Sequence, residues 1–159
     1  MKKILLLSVF AFMFSMFVSA QVNSNAIGLR FGAGSFGGAE VSYQKGFGSS
    51  NRLELDLGWG GNSNHSRVFL SGIFHWNWNI VEGLNWYVGP GASIGYYQIK
   101  NGNDYLGVAV GGQIGLEYDF NTLGAPILLS LDSRPMFDLL GDYEYPFWWG
   151  VALAVRYTF

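Results

Sequence analysis

From Asn25 to the end of the chain, apolar side chains recur at every second position, the period of β-strands, with no sustained helical period. Ile27, Leu29 and Phe31 alternate with Gly28, Arg30 and Gly32. Leu53, Leu55, Leu57 and Trp59 alternate with Arg52, Glu54, Asp56 and Gly58. The final segment sets Phe147, Trp149, Val151, Leu153, Val155, Tyr157 and Phe159 against Gly150, Ala152, Ala154, Arg156 and Thr158. Similar alternations run near 39–44, 67–79, 85–96, 107–120 and 127–134, so eight strands are expected. The stretches between them are rich in turn-forming residues: Gly34–Gly38, Gly60–Ser66, Lys100–Asp104 and Gly141–Pro146.

Charge placement identifies the two faces. Arg30, Arg52, Arg67, Arg134 and Arg156 all fall on the polar parity, as do Glu40, Glu54, Asp56, Glu117, Asp119 and Asp132. Lys45, Glu82, Lys100, Asp104, Asp138, Asp142 and Glu144 fall in expected turns or at strand ends. A soluble sandwich or lipocalin-like barrel shows the same alternation inside out, with the apolar face in the core. Three features favour a lipid-facing apolar surface. The polar face is mostly Gly, Ser and Asn, with few lysines. The apolar face ends its strands in aromatics: Tyr43, Trp76, Trp78, Trp86, Tyr118, Phe120 and Tyr157 at one end, and Phe31, Trp59, Tyr96, Phe147 and Trp149 at the other. Two aromatic belts match the two interfaces of a bilayer. Several segments also reach the roughly 9–11 residues a tilted spanning strand needs, the first three only nearly so. The expected fold is all-β: an eight-stranded antiparallel transmembrane up-and-down β-barrel.

Composition narrows the picture further. Charged residues make up 13% of the 159, aromatics 18%, and there is no cysteine, so disulfides and thiolate metal sites are excluded. Nine Lys and Arg against 11 Asp and Glu exclude a strongly basic nucleic-acid binder. No apolar run beyond the first twenty residues is long enough for a spanning helix. Met1, Lys2 and Lys3 precede an uncharged apolar stretch, Ile4 to Val18, and Val18-Ser19-Ala20 offers small residues for signal peptidase. The expected division is a signal peptide over 1–20 and a barrel domain over 21–159. Cleavage there leaves a net charge of −4.

The leader, the eight alternating strands and the terminal Val155-Arg156-Tyr157-Thr158-Phe159 resemble the small outer-membrane β-barrel family of OmpA and OmpX type. Ser130-Leu131-Asp132-Ser133-Arg134-Pro135 also resembles the seventh strand of small outer-membrane proteins. The resemblance spans the chain from about Asn25 onward and includes no peptidoglycan-binding domain. It implies an outer-membrane location with both termini periplasmic. It further implies that Tyr157 and Phe159 form the signal read by the barrel-insertion machinery, with periplasmic chaperones and membrane lipid as the other partners. A monomer without cofactor or nucleic-acid partner is expected. In that topology Gly34–Gly38, Gly60–Ser66, Lys100–Asp104 and Asp138–Pro146 face outside, and Gln44–Asn51, Ile80–Gly83 and Asn121–Ala125 are periplasmic turns. The outer loops are short for this class.

The interior of an eight-stranded barrel is just wide enough for side chains to fill it. Charges enclosed there must pair, because an isolated buried charge is too costly. The twelve inward ionisable residues (Arg30, Glu40, Arg52, Glu54, Asp56, Arg67, His75, Glu117, Asp119, Asp132, Arg134 and Arg156) are therefore expected to form a network plugging the lumen. Same-strand neighbours such as Arg52/Glu54/Asp56 and Asp132/Arg134 suit such pairing, and bulky inward residues (Phe69, Ile73, Tyr87, Tyr97, Leu128, Trp148) add to the plug. Inward glycines are expected to make room for the arginines. One alternative is a narrow low-conductance pore lined by the same groups. A second is a lipid-active enzyme, whose candidate base is His75, since His65 falls in a polar loop; no serine stands two residues after His75. A third is a soluble periplasmic ligand-binding barrel. The outer-loop residues Asp138, Asp142, Glu144, Tyr143 and Tyr145 are candidates for cation or partner binding. The reading adopted is a non-enzymatic structural or interaction role in the envelope.

Overall fold

The computed structural model describes residues 18–19, 22–34, 37–61, 65–100, 102–140 and 147–159. Eight strands form the wall: β1 (Asn25–Gly34), β2 (Gly38–Phe47), β3 (Asn51–Gly61), β4 (His65–Val81), β5 (Leu84–Ile99) and β6 (Tyr105–Asp119) are continuous. The seventh, β7, runs over Ile127–Ser133 and resumes as Met136–Leu140; the eighth, β8, begins as Phe147–Trp148 and resumes as Gly150–Thr158. Each pairs antiparallel with its sequence neighbour, and β8 closes the cylinder on β1, from Gly150 opposite Gly34 to Thr158 opposite Ala26.

The register fixes the stagger. From Ala33 the paired positions pass through Val151, Ser133, Ile114, Val88, Trp76, Asn51 and Phe47. Phe47 lies two residues past Lys45, the partner of Asn25, so the circuit returns to the first strand level with Asn23, ten residues from its start. Closure with such a stagger requires strands tilted roughly 35–45° to the barrel axis.

Both chain ends meet at one rim, where the Phe159 N–H donates to the Asn25 carbonyl. This terminal rim carries the tight connections: a turn at residues 48–50, another at Glu82–Gly83, and the 3-10 helix Phe120–Leu123. Gly83 has φ of 78°, a left-handed conformation that glycine adopts without strain. The opposite, distal rim carries the connections that include residues 35–36, 62–64, 101 and 141–146, which lie outside the described set.

Every strand alternates with one sense. Leu29, Leu55, Leu70, Ile94, Leu116, Leu131 and Leu153 face outward and are exposed, whereas Arg30, Glu54, Ser71, Gln113, Asp132 and Ala154 point into the lumen and are buried. The inside-out arrangement of a soluble barrel is thus excluded. The three strands whose length seemed marginal span 10, 10 and 11 residues. At the terminal rim the outward aromatics reinforce each other; Trp78 and Trp86 stack with centroids 4.5 Å apart.

Three expectations are corrected. Asp138 is not in a loop, because alternation resumes after Pro135 and places it in β7, where its carboxylate accepts from the Trp148 indole N–H. Asp142, Tyr143, Glu144 and Tyr145 lie outside the described residues. The turn expected over Gln44–Asn51 shrinks to residues 48–50, because β2 continues through Lys45 to Phe47 opposite Asn51. Similarly, β4 runs to Val81, leaving Glu82–Gly83 as the turn. Of the expected leader, only Val18–Ser19 is described; it pairs with Trp78 and Asn79 of β4, outside the eight-stranded wall.

The inward glycines seat rings rather than arginines. A Cβ at Gly58 would fall 2.2 Å from Phe69, one at Gly115 2.5 Å from Tyr87, and one at Gly107 2.9 Å from Tyr97. Gly58→Val is expected to displace the Phe69 ring and cost about 1–3 kcal/mol of stability, as overpacking does. Gly72→Ala should be close to neutral, because its Cβ would meet only Leu55 at an ordinary 3.5 Å. Urea midpoints of the two folded variants check this, and equal midpoints contradict it.

Candidate functional site

The lumen of this cylinder contains four layers of chemistry. Nearest the distal rim, Phe69, Ala109, Met136 and Trp148 form an apolar cluster with Tyr97 packed against it. This cap follows from the sequence: each residue occupies an inward position near the distal end of β4, β6, β7 or β8.

Beneath it lies a ring of ion pairs. Arg30, on β1, donates to Glu40 on β2 and, through Nε and Nη2, to both oxygens of Asp132 on β7 at 3.3 and 2.5 Å. Arg134 sends Nη1 to Glu40 at 3.1 Å and Nη2 to Glu54 at 3.2 Å and to Asp56; its Nε donates to Gln113 at 3.0 Å. Glu54 is the hub of the next layer. It accepts from Arg156 Nη2 at 3.0 Å, Gln44 at 2.6 Å and Gln113 at 3.2 Å. The rest of the Arg156 guanidinium is held by Ser42 and Ser130 at 2.9 and 2.8 Å. These side chains come from six strands and are at most 3% exposed. Removal from water is offset here because each of these guanidinium groups donates to at least one carboxylate and meets neutral hydroxyl or amide acceptors where no carboxylate reaches it.

Toward the terminal rim, Arg52 Nη1 donates to both oxygens of Glu117 at 2.7 and 2.9 Å, and its Nε donates to His75 Nδ1 at 3.2 Å. Accepting at Nδ1 makes His75 a neutral imidazole with its proton on Nε2. The Arg52 guanidinium also lies 4.6 Å from the Tyr87 ring centroid. Arg52 Nη2, His75 Nε2, Asn77 Oδ1 and, higher up, Asp56 Oδ1 are buried without a protein partner. A polar cup of about 490 Å³ opens below them, lined by Asn23, Asn79, Asn85, Asp119 and Asn121 among others. Among the described residues no group of three or more His, Asp or Glu side chains is arranged to hold a metal ion.

Ten of the twelve ionisable residues singled out by sequence thus lie along the enclosed lumen. The other two stand at its rims. Arg67 is distal, donating to the Gly37 carbonyl at 2.9 Å with its guanidinium 5.5 Å from the Phe69 ring centroid. Asp119 is terminal, where it caps the 3-10 helix by accepting from the Asn121 backbone N–H at 2.9 Å and also accepts from Asn23. The expected same-strand pairs do not form. Arg52 pairs with Glu117 instead of Glu54 or Asp56, and Arg134 with Glu40, Glu54 and Asp56 instead of Asp132. Residues two apart on a strand stand side by side, and their long side chains reach further across the lumen than along the wall. Gln44, Ser42, Ser130 and Tyr87 complete the network; their inward parity was the available signal. Tyr157 and Phe159 point outward at the terminal rim, with ring centroids 6.4 Å apart.

No family model and no curated protein sequence matches the chain. Solved structures do. The N-terminal β-barrel domain of Pseudomonas aeruginosa OprF superposes with a TM-score of 0.62 at 20% identity, covering 89% of this chain and all of that one. Neisserial surface protein A gives 0.60 at 14% identity over 85% of this chain and 94% of its own. Ail, the attachment invasion locus protein of Yersinia pestis, gives 0.54 at 11% identity over 89% of this chain and all of its own. With the closed register and the outward apolar wall, these likenesses show that the chain has the fold of the small eight-stranded outer-membrane β-barrels.

Proposed function

We propose that the protein is an integral barrel of a Gram-negative outer membrane with a structural or interaction role in the envelope, its lumen closed by the arginine–carboxylate network. The observation that carries this reading is the pairing of a predominantly apolar outer wall with an interior in which buried arginines and carboxylates meet one another. Such a wall is stable only in lipid, and such an interior leaves no continuous aqueous path. Residues 1–20 act as a signal peptide, and residues 21–159 form the inserted domain. Both termini are periplasmic, and Tyr157 and Phe159 are presented to the insertion machinery from the last strand. Periplasmic chaperones carry the chain before insertion. The inserted barrel is monomeric and takes neither a cofactor nor nucleic acid.

A non-enzymatic role is supported by His75, the candidate base, which is 0% exposed and engaged by Arg52. It has no route to a lipid ester on the outer wall. The test is single-channel recording of refolded protein in a planar bilayer, with heat-modifiable gel mobility reporting the folded state. The folded protein is expected to be electrically silent. Discrete steps whose ion selectivity changes on Arg30→Glu would instead establish the narrow-pore alternative.

A further inference from the structure

The charges enclosed in the lumen do not balance. Among the described residues, the buried arginines are Arg30, Arg52, Arg134 and Arg156, and the buried acids are Glu40, Glu54, Asp56, Glu117 and Asp132. Four guanidinium groups thus face five carboxyl groups, and His75, accepting from Arg52, adds no charge. From residue 21 onward the chain has three other cations: Arg67 lies over the apolar cap at the distal rim, and Lys45 and Lys100 are exposed. A surplus negative charge sealed into this space is too costly to leave unmatched.

The hydrogen bonds locate the surplus. Asp132 meets Arg30 with both oxygens, and Glu117 meets Arg52 with both. Each Glu40 oxygen accepts from a different guanidinium, Arg30 or Arg134, and each Glu54 oxygen from Arg134 or Arg156. Asp56 differs. It is 0% exposed, its Oδ2 shares Arg134 Nη2 with Glu54, and its Oδ1 meets no donor. The serines opposite it on β2 and β4 are engaged elsewhere: Ser42 accepts from Arg156, and Ser71 bonds Ser93 of β5. Glu40 of β2 and Glu54 of its own strand act on Asp56 with like charge, opposed by Arg134 of β7, Arg156 of β8 and Arg30 of β1. From β6 comes neutral Gln113, which binds Arg134 and Glu54, while Arg52, His75, Tyr87 and Glu117 lie nearer the terminal rim.

We infer that the lumen binds one proton as the barrel folds and that Asp56 carries it on Oδ1, which makes the enclosed network neutral. The carboxylate of the unfolded chain accepts one proton from solvent, and the resulting carboxylic acid is sealed inside. Its Oδ2 still accepts from Arg134, so the acid keeps the contact that helps to position that guanidinium. The inference rests on the closed lumen proposed above, because a water-filled pore would solvate a fifth carboxylate.

The test is infrared spectroscopy of the full-length barrel folded in lipid vesicles, with folding scored separately by heat-modifiable mobility. Near pH 7, where exposed carboxyl groups are ionised, the wild type is expected to show a protonated-carboxyl C=O band. Asp56→Asn, a neutral replacement of the same shape, should fold and lack that band. Urea titration of both proteins gives a second readout. Between about pH 5 and 6, the folding constant of the wild type should fall roughly tenfold relative to that of Asp56→Asn. The sign follows because the folded wild type holds one proton more than its unfolded chain, and the variant does not. Taking the ratio cancels His75, which is neutral in the lumen of both proteins and gains a proton when either unfolds. Absence of the acid band from folded, electrically silent wild type would overturn the inference and leave the closed lumen in place, whether or not the variant folds. A band that survives in folded Asp56→Asn, or a ratio of folding constants that ignores pH, would overturn the assignment to Asp56. Discrete conductance steps from the folded wild type would overturn the closed lumen, and this inference with it.

Discussion

Replacing Arg134 with methionine is expected to destabilise the folded barrel by about 3–5 kcal/mol, the cost of leaving buried charges uncompensated. One guanidinium reaches Glu40, Glu54 and Asp56, and its Nε binds Gln113. Methionine fills much of the volume and removes all of these contacts, so the loss reads the electrostatics more than a cavity. Arg134→Lys should recover only part of it, because a compact ammonium cannot span three carboxylates. Urea titration of protein folded in lipid vesicles, followed by gel mobility, measures both. A methionine variant within about 1 kcal/mol of wild type would mean that the network contributes little to holding the wall.

The second large effect concerns the other face. Leu55 is exposed midway along β3 and belongs to the lipid-facing set. Leu55→Arg should impair insertion by about 2–4 kcal/mol, the cost of a cation near the bilayer midplane. Asn51→Arg begins the same strand at the terminal rim and should cost about 0–1 kcal/mol. The contrast isolates depth from the substitution itself. Equal penalties at the two positions would mean that β3 does not cross a membrane in this register.

These two positions also show why so much of the fold was legible. A period of two leaves a binary choice at each strand, and the inward arginines resolve it: once Arg30, Arg52 and Arg156 face the lumen, Leu29, Leu53 and Val155 must face out. Closure follows from having eight such segments. The failures lie where the period is interrupted. Pro135 offers no N–H to the ladder, so the end of β7 resembled a loop and Asp138 a loop acid, although the alternation resumes at Met136. At Lys45, a charge immediately before Gly46-Phe47-Gly48 resembled a turn, yet the strand continues. Pairing within the lumen was legible in kind but not in partner. Sequence order makes Arg52 and Glu54 neighbours, while the stagger of a tilted wall brings Glu117 to Arg52 across 65 residues of chain.

The reach of these ion pairs bears on the order of assembly. Arg30 and Glu40 share one hairpin, but Arg52 needs β6, Arg134 needs β2 and β3, and Arg156 needs β3. A half-built sheet entering lipid strand by strand would expose unmatched carboxylates on the face that has yet to become a lumen. Neutrality is therefore a property of the closed cylinder, not of its hairpins. The last strand, which supplies Arg156 and seals against β1, completes both the hydrogen-bond ladder and the charge balance in the same step. Partly inserted states should be poorly populated, and crossing the membrane and closing the ring should proceed as one cooperative event.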